Sequence, residues 1–199
     1  MDQPIRTESY HDYTISIYRD EYPESPREWD NLGTMYFFHR RYVLGDKHNL
    51  GMEEVHRLAN GPQNESLPVY MYDHSGYTIA TTPFSCPWDS GQLGHIVVTD
   101  VEMRKEFGVK RLTKELRAKA LKQLQQEVET YDEYLRGEVY GYVAEDEGGN
   151  HLDSCWGYYG SDDEYMMSEA RNAVDYQITK AAKDIERQIK DEPLELQFA

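Results

Sequence analysis

Cysteine is almost missing from this chain: its 199 residues hold only Cys86 and Cys155. Two thiols so far apart build no disulfide framework and match no paired zinc-ligand spacing, so both are expected to be reduced. Long apolar runs are also missing, and none approaches the roughly 20 residues a membrane-spanning helix needs. The start, Met1-Asp2-Gln3-Pro4-Ile5-Arg6, lacks the basic and apolar regions of an export signal. A cytoplasmic protein is therefore expected. The glycine patterns that cradle nucleotide phosphates do not occur. Asp30, Asp46, His48, Asp73, His74 and Asp89 are metal-ligand types, but their spacing fits neither a paired-histidine nor a calcium-loop pattern. No metal and no cofactor is expected.

Acidity is abundant. Thirty-seven Asp/Glu stand against 21 Lys/Arg, a formal charge of −16 that repels nucleic acid and argues against direct nucleic-acid binding. The charge is blocked along the chain. Arg104 to Lys122 holds eight basic residues with only Glu106 and Glu115, whereas Glu127 to Glu164 holds twelve acids opposed only by Arg136. The basic block is expected to balance those acids, within the chain or across a homodimer.

At this length one core suffices, and about 70% of the unfolded surface can be buried. A single α+β domain over 1–199 is expected, with flexible tails at 1–8 and 193–199. Tyr13, Ile15 and Ile17 alternate as in a half-buried strand. Met35 to Val43 fits strand or helix, and Gly51 to Asn60 reads as a short helix. Strands are predicted at Val69–Tyr72, Tyr77–Thr82 and His95–Thr99, the first two joined by a tight turn at Asp73-His74-Ser75-Gly76. Thr99 with Glu102 has capping-box spacing before a helix closed by Gly108. Leu112, Leu116, Ala120, Leu124, Val128, Tyr131 and Leu135 form one apolar stripe ending at Gly137. A hairpin follows around Gly148-Gly149-Asn150. Ser161 with Glu164 opens a last helix with the stripe Met166, Ala170, Ala173, Ile178, Ala181, Ile185 and Ile189, stopped at Pro193. Tight hairpins demand antiparallel pairing, so the expectation is a largely antiparallel sheet packed by two longer helices.

Three stretches carry unusual chemistry. Phe84-Ser85-Cys86-Pro87-Trp88-Asp89-Ser90-Gly91-Gln92 sets a thiol, an indole, a carboxylate, a hydroxyl and an amide among turn formers. Trp29-Asp30-Asn31 precedes Leu32-Gly33, and His39-Arg40-Arg41 offers two guanidinium forks suited to a phosphate or carboxylate. If these stretches converge, Trp29, Asp30, Asn31, Arg40, Arg41, Trp88, Asp89, Ser90 and Gln92 would line a ligand pocket. Cys86 or Asp89 would be its reactive group and His74 or His95 its base. The competing view is that Cys86 is a packed small hydrophobe, that Asp residues near glycines close turns, and that the arginines pair with acids.

Pro26-Arg27-Glu28-Trp29-Asp30-Asn31-Leu32-Gly33, His39-Arg40-Arg41-Tyr42-Val43-Leu44-Gly45-Asp46 and the Phe84–Gln92 stretch together resemble a family of hypothetical proteins of bacteriophages, prophages and mobile elements. The likeness runs from about Tyr13 to Gly160. It implies an accessory protein acting inside a bacterial host, where accessory phage proteins of this size and acidity resemble inhibitors of restriction or CRISPR defences. Tyrosines interleave with the acids of 127–164. One reading is therefore a non-enzymatic binding protein whose Glu127, Glu129, Asp132, Glu133, Glu138, Tyr131 and Tyr134 present a nucleic-acid-like surface to a basic, nucleic-acid-handling host protein. The other is the small-ligand or hydrolytic pocket just described.

Overall fold

The computed structural model describes residues 3–160 and 162–191. In chain order the elements are β1 (Arg6–Tyr10), β2 (Tyr13–Arg19), a 3-10 turn at Pro26–Glu28, β3 (Thr34–Phe37), α1 (Met52–Ala59), β4 (Glu65–Asp73), β5 (Tyr77–Ala80) and β6 (Ser90–Val98). These are followed by α2 (Asp100–Glu106), α3 (Lys114–Leu135), β7 (Val139–Asp146), β8 (His151–Tyr159) and α4 (Asp163–Asp191). Helices and antiparallel strands make an α+β fold, as the hairpin signals require. The strands form two sheets rather than one, and the chain divides into two compact units. One comprises Met1–Pro23 with Val139–Ala199; the other, Glu24–Glu138, is inserted between β2 and β7.

The outer unit is a four-stranded antiparallel sheet in the order β1-β2-β7-β8. From Arg6 onward the expected flexible tail is instead an edge strand, paired with β2 from Arg6 opposite Ile17 to Tyr10 opposite Tyr13. Its residues alternate between half-buried and exposed, a weak hydrophobic signal because an edge strand buries little. Ile15 and Ile17 of β2 and Tyr140, Tyr142 and Ala144 of β7 form the core with Met166, Met167, Ala170 and Val174 of α4. Ser161 and Pro193, read as start and stop of that helix, lie outside the described residues.

The inserted unit is an antiparallel sheet in the order β3-β6-β4-β5. Helix α3 lays Ala120, Leu124, Val128 and Tyr131 over one face, meeting Met35, Val69, Met71, Ile96 and Val98. Along β6, Ile96 and Val98 join that core while the alternate His95 turns to α1 on the other side, the period of two that strand geometry imposes. The hairpin turn reads as expected, with Ser75 and Gly76 both at positive φ (57° and 144°). The predicted capping box of α2 is formed: the Thr99 hydroxyl accepts from the Glu102 amide at 3.3 Å, and the Glu102 carboxylate accepts from the Thr99 amide at 2.7 Å. Strands β4 and β6 begin earlier than predicted, at Glu65 and Ser90. Pro68 and the polar Ser90-Gly91-Gln92 conceal them in sequence, since pairing there is set by the neighbouring strand.

Candidate functional site

Two of the three signature stretches meet inside the inserted unit. Arg27 follows Pro26 in the 3-10 turn, and its side chain is 6% exposed. Its Nε and Nη2 donate to the two oxygens of Asp46 at 3.1 and 2.6 Å, Nη2 also donates to the Gly33 carbonyl at 2.6 Å, and Nη1 donates to Glu127 at 3.2 Å. Asp46 further accepts from the Met35 amide at 2.7 Å, and Glu127 from the amides of Leu32 (2.8 Å) and Gly33 (3.2 Å). A Cβ at Gly33 would run into Leu124 and Ile96, so only glycine lets this backbone approach α3. Burial alone would lower the Arg27 pKa, yet Asp46 and Glu127 hold it above its ordinary value. Burial raises the Glu127 carboxyl against the opposing pull of the Leu32 amide and Arg27. Arg27, Gly33, Gly45 and Asp46 are thus fixed by folding: the network ties the 3-10 turn, β3 and the Gly45 loop to α3, and the Tyr131 hydroxyl accepts from the Gly45 amide at 3.1 Å.

Several of the residues expected to present an acidic docking surface are engaged within the inserted unit. Glu127 is turned inward onto Arg27, and Tyr131 is buried in the core. Asp132 accepts from the Thr78 hydroxyl (2.5 Å), the Ile79 amide (2.7 Å) and Arg136 (2.9 Å), which fastens β5 to α3. Glu138 is paired with Arg136 at 2.8 Å. Glu133 is half-buried, with burial raising its carboxyl, and Tyr134 is half-buried and stacked on Tyr131. Of the seven residues named, only Glu129 is exposed, and its carboxylate accepts from Gln125 at 2.9 Å. The acidic stretch is also split at Glu138/Val139 between the two units. Helix periodicity, which charge counting ignores, rotates every third or fourth residue inward. Two members of the basic block pair with acids outside that stretch: Arg104 with Asp100, and Arg117 with Asp100 and Glu65.

The third stretch folds differently. Ser90 donates to the Cys86 carbonyl, and the Asp89 carbonyl accepts from the Asp73 amide at 2.8 Å, so the loop before β6 closes onto the end of β4. This brings Cys86, Asp89 and His74 together as the sequence suggested. The Asp89 carboxylate lies between the other two, 3.8 Å from the thiol sulfur and 3.3 Å from His74 Nδ1. The thiol therefore faces a carboxylate rather than an imidazole. Trp88 is 89% exposed at the tip.

Around this loop the inserted unit carries three adjoining concavities. A polar one of about 280 Å³ is lined by His39, Arg41, Asp73, Trp88, Asp89, Ser90 and Gln92. It shares Gln92 and Leu93 with a largely apolar one of about 520 Å³ between α1 and β6, which includes Phe38, Val55, His56, Arg57 and His95. A third, of about 1010 Å³, holds Arg40, Tyr42, Val43, Lys47, His48 and Leu50; it shares Phe38 and Met52 with the second and His39 with the first. Arg41, 68% exposed, pairs with Asp73 at 2.5 Å, and His39 stacks flat on Tyr42 at 4.8 Å. Burial, and secondarily His56, lowers the His95 pKa. Arg40, Lys47 and Arg57 have no carboxylate partner among the described residues.

The structure thus sets Arg41, Trp88, Asp89, Ser90 and Gln92 around one concavity of this grooved face and Arg40 in an adjoining one. It leaves out Trp29, Asp30 and Asn31, none of which lines these concavities. Asn31 instead donates its amide to the carbonyls of Pro26 (2.8 Å) and Trp29 (3.0 Å), stabilising the turn before β3. The contributions of Phe38, His56 and Arg57 escaped sequence reading; Val55 and Ala59 on the buried side of α1 could have shown that His56 and Arg57 face away from the core. Among the described residues no group of three or more His, Cys, Asp or Glu could hold a metal ion, and no helix is long and apolar enough to cross a membrane. No family model, curated protein or solved structure matches the chain.

Proposed function

We propose that the chain is a binding protein whose site is the grooved face of the inserted unit, and that its ligand is an anion bearing an aromatic or other apolar group. One observation carries this reading. In a chain of net charge −16, the groove holds three cations without carboxylate partners, Arg40, Lys47 and Arg57, while Asp46 is taken by Arg27, Asp73 by Arg41 and Asp89 by His74. Glu53 is the one lining carboxylate left without a partner among the described residues. Apolar walls with a few placed polar groups are the usual make-up of a small-molecule site, and guanidinium forks suit carboxylate or phosphate. Binding rather than turnover is favoured because the thiol faces Asp89 and not an imidazole.

The test is a titration with anilinonaphthalene sulfonate, an aromatic anion, followed by its own emission and by that of Trp88, with aryl phosphates and carboxylates as competitors. Saturable binding should weaken about fivefold or more in Arg41→Ala and Arg57→Ala and stay unchanged in Lys119→Ala, which lies outside the groove. Absence of saturable binding, or equal affinity in all four proteins, would refute the proposal.

A further inference from the structure

His39 is a fixed flat plate where two of the concavities meet. Its Nδ1 accepts from the amides of Arg41 and Tyr42 at 3.3 and 3.2 Å, and its ring lies on that of Tyr42 with 5° between the planes. An exposed side chain is thus held in both position and tilt, with one face stacked and the other bare of any ring among the described residues. Because Nδ1 accepts in both bonds, the proton of the neutral ring sits on Nε2, which has no acceptor among the described residues.

Two kinds of neighbour surround this plate. With Trp88, an indole 89% exposed, His39 lines the concavity of about 280 Å³. Drug-sized ligands take about 300–1,000 Å³, so this hollow suits a single heterocyclic ring system. Asp73 and Asp89 line it as well, and each uses only Oδ2, the first for Arg41 and the second for Cys86 and His74. Each therefore keeps an oxygen that can accept from an amino group. His39 also borders the concavity of about 1010 Å³, which holds Arg40 and Lys47 without carboxylate partners.

The geometry points to a nucleotide whose base carries an exocyclic amino group, with the base stacked on His39 and Trp88 and the phosphate held by Arg40 and Lys47. This rests on the reading of the groove as a site for an aromatic anion, and narrows it. Stacking accepts any base, since every base has a π face. The free carboxylate oxygens then choose, because they accept from the amino groups of adenine, cytosine and guanine and repel the carbonyl oxygen that uracil presents instead. Guanidinium and ammonium both suit the phosphate. A mononucleotide is favoured over a strand, whose further phosphates would meet the field of a chain of net charge −16.

The experiment is calorimetric titration of the full chain with AMP, GMP, CMP and UMP, with adenosine and ribose 5-phosphate as the two halves of the ligand and a short single-stranded oligodeoxyadenylate as the polymer. Saturable binding of an amino-bearing nucleotide is expected, with UMP about fivefold or more weaker. Trp88→Ala should weaken AMP roughly tenfold and shrink its advantage over ribose 5-phosphate, whereas Arg40→Ala should shrink its advantage over adenosine. Tyr22→Ala, which removes an equally exposed ring outside the groove, should change nothing. No saturable binding of any nucleotide, affinity indifferent to Trp88→Ala, UMP bound as well as the others, or tighter binding of the oligonucleotide would overturn the inference. Anilinonaphthalene sulfonate bound through Arg41 and Arg57 but displaced by no nucleotide would overturn it while leaving the anion reading intact; absence of both dye and nucleotide binding would overturn the two together.

Discussion

Arg27 and Asp46, nineteen positions apart in sequence, face each other through two hydrogen bonds of 3.1 and 2.6 Å in a setting where the arginine side chain is only 6% exposed. Such a fork is strong in geometry but costly to desolvate, and its value lies in what it also holds: the Met35 amide, the Gly33 carbonyl and Glu127. The pair is the joint on which the grooved face is assembled, because Asp46 lines the concavity that contains Arg40 and Lys47.

Removing one partner should therefore be far worse than weakening a surface bridge. Arg27→Ala is expected to lose about 3–5 kcal/mol of stability, and Arg27→Lys to recover only part of it, since an ammonium cannot make both bonds at once. Urea unfolding of the two variants decides the matter. A loss within the range of an exposed pair, or full rescue by lysine, would show that the network carries little.

Asp132 offers a sharper contrast between folding and docking roles. Asp132→Ala frees the Ile79 amide and the Thr78 hydroxyl, so a destabilisation of about 1–3 kcal/mol is expected. Hydrogen exchange should speed up along β5 in particular. If the variant kept full stability and unaltered exchange at Ile79, its carboxylate would have to be working outward after all.

A histidine sets a pH dependence. Burial, and then His56, lowers the His95 pKa below its ordinary 6.5, so the unfolded chain binds the proton more readily than the folded one. His95 therefore costs no stability above about pH 6.5 and makes stability fall as the pH drops through that value toward its lowered folded pKa. Comparing unfolding midpoints at pH 7.5 and 5.5, His95→Gln should lose less stability on acidification than the parent chain. Identical acid sensitivity in the two proteins would exclude this contribution.

Gly94 of β6 lies against the backbone of β3. A Cβ there would strike the Tyr36 carbonyl and the Phe37 backbone, atoms that cannot swing aside as a side chain tip can. Gly94→Ala should part the two strands and distort the cavity between β6 and α1, lowering both thermal stability and binding of the aromatic anion. Retention of both would mean that the strands yield at little cost.

Much of the fold was legible. The stripe of α3, the first turns of that of α4 (Met166 and Ala170), the hairpin turns at 73–76 and around 148–150 and the capping box at Thr99 are local patterns, and local sterics and periodicity suffice to read them. The division into two sheets was not, because β2 pairs with β7 across the whole inserted unit, and no local pattern records a contact of that span. The site was half legible. Arg40, Arg41, Trp88, Asp89, Ser90 and Gln92 stood out as chemistry without a packing reason; five of them line one concavity and Arg40 an adjoining one. Trp29, Asp30 and Asn31 stood out equally and serve a turn, and Glu127 and Asp132 read as surface because they are charged.

The sequence by itself determined the element types, the antiparallel pairing of the hairpins and the excess of negative charge, all consequences of covalent order and local geometry. Tertiary structure alone decided which charges meet a partner inside and which are left facing a groove. Pairing and burial depend on distances between residues remote in the chain, so the same counts of acids and bases are compatible with Glu127 and Asp132 facing solvent or, as here, holding Arg27 and the Ile79 amide.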